Sequence, residues 1–289
     1  MTREQSSSAQ PLQLAVIQFK GQRDKYEECK RQLLALISEV AQEGARLIVA
    51  PEMACSEYLF ADAQEALPFA ETSRGDLART LVTLSERFQT WCVFGVIELG
   101  EGDRLFNSAF ITSPTGQLVT YRKRLLFDAD HAWAYSGDEY PHSLHEDNRL
   151  QFFGITPQEG DLYPPYPLFD VYGWRMTVGI CMDLNDQRFL DFCAHAGVDL
   201  IAFPTNWLEE GLDVLEYWAY LLSDIQGVTL LAANSYGAER DISFCGGSAI
   251  LQSTSPPVLL GQAPSEGNYF LMIKLKPHST ASLRSSLND

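Results

Sequence analysis

Residues 176–185 read Met176-Thr177-Val178-Gly179-Ile180-Cys181-Met182-Asp183-Leu184-Asn185, an apolar run that delivers one cysteine into a polar stretch. A short run of this kind predicts a buried strand, and it leaves Cys181 at the strand's end. In sheets covered by helices, ligands bind at strand ends and in the loops that follow them. A thiol placed there can be ionised by a neighbouring cation and attack a carbonyl carbon, whereas a thiol in mid-strand is only a small buried hydrophobe. Cys181 is thereby set apart from Cys29, Cys55, Cys92, Cys193 and Cys245.

The pattern on either side predicts an α/β fold. Upstream, residues 12–19 alternate and run apolar as a strand. Residues 26–42 carry Leu33, Leu34, Leu36, Ile37 and Val40 at helical spacing, with Gly44 placed to end the helix, and 46–50 form a second strand. That strand finishes at Pro51-Glu52-Met53. A helix over 77–88 and a buried strand over 91–97 follow, then a hairpin of 105–111 and 117–121 about Pro114-Thr115-Gly116. The hairpin runs into Tyr121-Arg122-Lys123-Arg124. Beyond Cys181 the expected order is a helix at 186–195, a strand at 198–203, a helix at 212–226 and strands at 228–233, 248–252 and 269–275. The helix at 212–226 is apolar on most sides, which predicts a core or interface position.

One domain over 12–276 is expected, with two strand-and-helix halves stacked as a layered sandwich. It is preceded by a frayed 1–11 and followed by a polar tail at 277–289. The Pro, Gly, Asp and aromatic stretch between Asp128 and Pro167 is longer than the ordinary loop limit of about 12–15 residues, so it is expected to cover something.

Composition narrows the function. With 46% hydrophobic and 20% charged residues, the chain of 289 residues fits a globular protein with ample core. A net charge of −17 argues against nucleic acid or anionic membrane as partners, since both require clustered Lys and Arg. No apolar run approaches the ~18 residues of a membrane span, and the opening residues lack the apolar core of a signal peptide. The cysteines form no CxxC pair and the histidines no metal spacing. A small-molecule substrate, a reducing cytoplasm and no metal or cofactor are therefore expected.

Glu52, Lys123 and Cys181 each follow a predicted strand, and together they are the residue types that amide hydrolysis through a thioester requires. The thiol needs a proton acceptor, the tetrahedral intermediate needs donors for its oxyanion, and the leaving amine needs a proton back. Glu52 suits the first and last tasks. Lys123 and the backbone NH of Met182 suit the second. A Cys181–His195 pair of papain type is the weaker alternative, since His195 falls within a predicted helix.

Pro51-Glu52-Met53 with Tyr58, Tyr121-Arg122-Lys123, Gly179-Ile180-Cys181-Met182-Asp183 and Pro204-Thr205-Asn206-Trp207 resemble, in this order, the motifs of the nitrilase, or carbon-nitrogen hydrolase, superfamily. The resemblance spans roughly 12–275. It implies a four-layer αββα sandwich, a glutamate-lysine-cysteine set at Glu52, Lys123 and Cys181, and association into a homodimer or larger homo-oligomer. Where the family usually has a second glutamate after the lysine, the matching position holds Asp130, shorter by one methylene; Asp128 and Glu139 are the alternatives for that role. The stretch 138–165 looks longer than the family's usual connection and is expected to reshape the pocket entrance.

Tyr58, Phe127, Trp133 and Trp207 are expected to line the pocket, with Asn206 beside them; core packing is the competing role for the aromatics. True nitrilases typically carry tryptophan and glutamate directly after the cysteine. Here Met182-Asp183-Leu184-Asn185 follows, which is similar to the amidase side and, over five residues, to the branch that deamidates N-terminal asparagine. The expected substrate is a primary amide, giving acid and ammonia. Nitrile or N-carbamoyl hydrolysis, acyl transfer, and a silent binding protein on the same fold are the alternatives.

Overall fold

The computed structural model describes residues 10–137, 152–153 and 166–277. Its first half comprises β1 (Leu12–Gln18), α1 (Tyr26–Gln42), β2 (Leu47–Val49), α2 (Ala63–Ala66), β3 (Ala70–Glu71), α3 (Asp76–Phe88), β4 (Trp91–Leu99), β5 (Leu105–Thr112) and β6 (Leu118–Arg122). The second half holds β7 (Phe152–Phe153), β8 (Leu168–Val171), β9 (Trp174–Val178), α4 (Gln187–His195), β10 (Leu200–Thr205), α5 (Val214–Leu221) and β11 (Thr229–Asn234). It closes with β12 (Tyr236–Glu239), β13 (Ile242–Cys245), β14 (Ala249–Gln252), β15 (Val258–Gln262) and β16 (Tyr269–Leu275).

Two sheets result. The first runs β16-β1-β2-β4-β5-β6, with β3 also on β4, and the second runs β15-β14-β11-β10-β9-β8-β7. Within each, the central strands are parallel: β1, β2 and β4 in one, β9, β10 and β11 in the other. Alternation along β1 explains how the sheets stack. Leu12, Leu14 and Val16 join Met176, Val178 and Leu200 in a shared inter-sheet core. Ala15 and Ile17 turn the other way, onto Leu33 and Ile37 of α1 and Leu77 and Leu81 of α3. On the far side of the second sheet, Trp218 of α5 meets Phe203 of β10 edge-on, with ring centroids 5.9 Å apart. The order is helix, sheet, sheet, helix, the αββα sandwich expected from the resemblance. Among the described residues the last strand, β16, pairs antiparallel with β1 over its whole length and completes the first sheet.

Several elements differ from the sequence reading, which has no counterpart for the short α2, β3, β7 and β8. The helix expected over 212–226 is confined to Val214–Leu221, because the Asp213 carboxylate accepts from the Leu215 and Glu216 NH groups and so fixes its start. At the other end the Ser223 and Ile225 NH groups reach only three residues back, to the Tyr220 and Leu222 carbonyls, so the α-helical pairing stops. The β12–β13 hairpin and β15 were not expected. Hairpin residues such as Gly237, Ala238 and Ser243 give no apolar alternation, and the burial of Glu239 and Phe244 comes from distant contacts. The polar tail and most of the long loop at 138–165 lie outside the described residues.

Candidate active site

The C-terminal ends of the parallel strands converge where the two sheets meet. Glu52 follows β2, Lys123 directly follows β6, Cys181 follows β9 and Asn206 directly follows β10. Glu52 is carried across β4 at its one glycine. Gly95 donates its NH to the Pro51 carbonyl and accepts from the Ala54 NH, and a Cβ there would fall 2.3 Å from the Pro51 oxygen and 2.6 Å from the Glu52 Cα. Any larger residue would displace the glutamate.

Lys123 stands between two carboxylates, all three side chains fully buried. Its Nζ donates to Glu52 Oε1 at 2.8 Å and to Asp130 Oδ2 at 2.6 Å. Asp130 opens a short 3-10 turn, and its Oδ2 also accepts from the Phe127 NH at 3.0 Å. Of the alternatives for its place, Asp128 is exposed and Glu139 lies outside the described residues. Asn107, on β5, was missed by the sequence reading. Its Nδ2 reaches Glu52 Oε1 at 2.7 Å and Asp130 Oδ1 at 3.2 Å, while its carbonyl accepts from the Lys123 NH at 2.8 Å. The available signal was an amide side chain inside a strand that reads as buried, since such groups are retained only with partners.

The electrostatics follow from this cage. Burial opposes the Lys123 charge, but Asp130 and Glu52 outweigh it and hold its pKa well above the ordinary lysine range. Burial, joined by the Asp130 charge, raises Glu52 against the lowering by Lys123 and Asn107, so its carboxyl is a stronger proton acceptor than an exposed glutamate. Its second oxygen, Oε2, is buried with no hydrogen-bond partner among the described residues, leaving one site open for a proton.

Cys181 begins a 3-10 turn, Cys181–Asn185, and has a φ of +46°, a left-handed conformation uncommon for a non-glycine residue. Burial, then the Glu52 carboxylate, pushes its thiol up to about 12; Lys123, the Thr205 hydroxyl and the Asn206 NH pull the other way. The resting sulfur is therefore a protonated thiol beside a raised carboxylate, an arrangement in which attack must be accompanied by proton transfer.

A cleft of about 60 Å³ opens onto the sulfur, lined by Tyr58, Phe127, Cys181, Met182, Asn206, Trp207, Leu208 and Glu210. The Tyr58 ring lies over the Lys123 amine, 5.8 Å from Nζ to centroid, and its buried hydroxyl has no partner among the described residues. Glu239, from the unexpected hairpin, holds this residue in place by accepting from the Tyr58 and Leu59 NH groups at 2.8 and 2.6 Å. Asn206 also braces the glutamate, its Nδ2 donating to the Glu52 carbonyl at 2.9 Å. Trp133 is not among the cleft's lining residues; it packs edge-on against Phe60, with centroids 5.9 Å apart, in a side cluster of the core. His195 is exposed, its Nδ1 within 2.7 Å of the Asp191 carbonyl of its own helix.

Among the described residues no group of three or more His, Cys, Asp or Glu side chains is placed to hold a metal ion, and no helix is long and apolar enough to cross a membrane. The six cysteines are free.

A sandwich of this order with a buried acid–amine pair beside a thiol defines a class of hydrolase, and the sequence agrees: the family described as Carbon-nitrogen hydrolase matches residues 13–255. The chain belongs to that family. Among similar proteins, a protein N-terminal amidase of Schizosaccharomyces pombe is 25% identical over 256 residues, covering 80% of this chain and 86% of that protein. A protein N-terminal amidase of Saccharomyces cerevisiae is 26% identical over 216 residues, which cover 68% of this chain but only 45% of the relative's length. A solved N-terminal amidase with an Asn-Glu-Ala peptide superposes with a TM-score of 0.72 at 17% identity, over 92% of this chain and 98% of that one, a likeness of fold.

Proposed function

We propose that this chain hydrolyses a primary amide to acid and ammonia through a thioester at Cys181. Glu52 takes the thiol proton as sulfur attacks the carbonyl carbon, and returns it to the leaving nitrogen. The oxyanion is met by the Lys123 ammonium and the Met182 NH. Water, deprotonated by Glu52, then attacks the thioester, and the returning proton restores the thiol. Asp130 holds Lys123 charged and oriented. The observation that carries this reading is the Lys123 amine fixed between Glu52 and Asp130 at 2.8 and 2.6 Å, which leaves one Glu52 oxygen free to carry a proton.

The test is ammonia release from amide and nitrile pairs of one carbon skeleton. An amide already presents the oxygen that Lys123 and the Met182 NH bind, whereas a nitrile passes through a thioimidate whose nitrogen would take that place. Faster hydrolysis of the nitrile across several skeletons would overturn the assignment.

A narrower reading is favoured by Glu210. It lines the aromatic cleft beside Trp207, and its carboxylate makes no hydrogen bond or ion pair among the described residues. A carboxylate at an aromatic pocket suits a substrate that carries an ammonium group near its amide. The side-chain amide of an N-terminal asparagine has that form, and the two yeast relatives are named for N-terminal amidase activity. An Asn-initiated peptide should then be deamidated faster than its N-acetylated form, and Glu210→Gln should narrow the difference.

A further inference from the structure

Asp183 is fully buried two residues after the thiol, and its carboxylate accepts four hydrogen bonds. Oδ1 accepts from the Arg124 and Leu125 NH groups at 3.0 and 2.9 Å, the two residues that follow Lys123. Oδ2 accepts from the Ile180 NH at 2.9 Å, the residue before Cys181, and from the Tyr121 hydroxyl at 2.8 Å. A carboxylate has about four lone-pair sites, and all four are used.

The placement of these donors is what matters. Tyr121, Arg124 and Leu125 bracket Lys123 at the end of β6 in the first sheet; Ile180 and Asp183 bracket Cys181 beyond β9 in the second. One side chain therefore ties together the two segments that carry the amine and the thiol. The bond to Ile180 also closes the turn that holds Cys181 at φ +46°, a conformation that persists only when its surroundings enforce it.

We propose that Asp183 is a positioning residue that sets the distance and orientation of the Cys181 thiol relative to the Lys123 amine, acting through the backbone on both sides and touching no substrate. This rests on the reading of Cys181 as nucleophile with Lys123 as its partner. The carboxylate's length is the working dimension: asparagine at 183 keeps the shape but turns two accepted bonds into opposed NH donors, and glutamate keeps the charge but pushes the segments apart by a methylene. Tyr121→Phe removes a single donor and leaves the packing.

The test measures kcat and KM for amide hydrolysis in Asp183→Asn, Asp183→Glu and Tyr121→Phe. Alongside it, the rate and pH profile of iodoacetamide alkylation are followed at Cys181 and at the half-buried Cys245 by peptide mass spectrometry. Misplacement of reacting groups by about 1 Å costs on the order of hundredfold in rate. Asp183→Asn is expected to lower kcat on that scale with KM held within about twofold, to shift the Cys181 alkylation profile and to leave Cys245 unchanged. Asp183→Glu is expected not to rescue, and Tyr121→Phe to change both readouts in the same direction but less.

Should Asp183→Asn fail to fold, Tyr121→Phe decides. Variants that lose only thermal stability while keeping the wild-type kcat and Cys181 alkylation profile would overturn the proposal, as would full rescue by Asp183→Glu. Alkylation needs no turnover. If the wild-type protein releases no ammonia and Tyr121→Phe still shifts the Cys181 profile, the hydrolase reading fails and the positioning role stands.

Discussion

Asp130 Oδ2 lies 2.6 Å from Lys123 Nζ, although aspartate is one methylene shorter than the glutamate usual in the family. The 3-10 turn that begins at Asp130 and the bond from the Phe127 NH bring the shorter acid within reach. Both Asp130 oxygens are engaged, Oδ1 by Asn107 and Oδ2 by Lys123 and the Phe127 NH, whereas Glu52 Oε2 has no partner among the described residues, so Asp130 is expected to orient Lys123 and Glu52 to carry the proton. Asp130→Asn is expected to lower kcat/KM less than Glu52→Gln does, measured on one amide at one pH. Equal or reversed losses would assign the base to Asp130.

Lys123→Met removes the one cation between two buried carboxylates. Loss of an oxyanion donor costs about 10²–10³ in kcat, and the loss should exceed that because the surviving acids then repel each other. Stripping one partner from a buried ion pair also destabilises by about 3–5 kcal/mol, readable by urea unfolding. A rate loss under tenfold would count against the role given to Lys123.

The pH dependence follows from the shifts at Glu52 and Cys181. Glu52 must be deprotonated to act, and burial raises its pKa, so the acid limb of kcat/KM should lie above the ordinary glutamate value of 4.5. The Cys181 thiol is pushed up to about 12 and stays protonated through the working range. kcat/KM should therefore rise with pH through the Glu52 titration and then stay flat to about pH 10, across the range in which a thiol of ordinary pKa, about 8.5, would titrate. A second rise between pH 8 and 10 would mean that a free thiolate is the reacting form.

Gly95→Ala tests how Glu52 is placed. The added methyl would meet the Pro51 carbonyl oxygen at 2.3 Å, an impossible contact with backbone that must move. The expected result is more than a tenfold loss of kcat with a lowered unfolding temperature, on the scale of about hundredfold per ångström of misplacement. Unchanged kinetics would show that the Glu52 segment has room to relax.

The parts legible from sequence were those with a local signature. Glu52, Lys123 and Cys181 each stand where an apolar run stops, and the strand and helix periods around them are plain, so the layers and the chain positions of the three could be read. Asn107 and Glu239 could not. Asn107 gains its meaning only when β5 is laid beside β4 and β6, and Glu239 only when a hairpin with no clear alternation folds back over the Tyr58 loop. Trp133 takes the competing role given to the aromatics, core packing, its ring meeting Phe60 edge-on. The apolar residues of α5 continue beyond Leu221, but its start is set by the Asp213 cap and its end by tight turns in which the Ser223 and Ile225 NH groups reach only three residues back.

The central claim is a thioester on Cys181, and rapid-quench mass spectrometry of the intact protein during turnover of a primary amide tests it most directly. The account predicts a transient adduct equal to the substrate less ammonia, located on the peptide that carries Cys181, released by hydroxylamine as the hydroxamate and absent from a folded Cys181→Ala protein that releases no ammonia. Undiminished ammonia release by Cys181→Ala, or an acyl group found on any other residue, would contradict it.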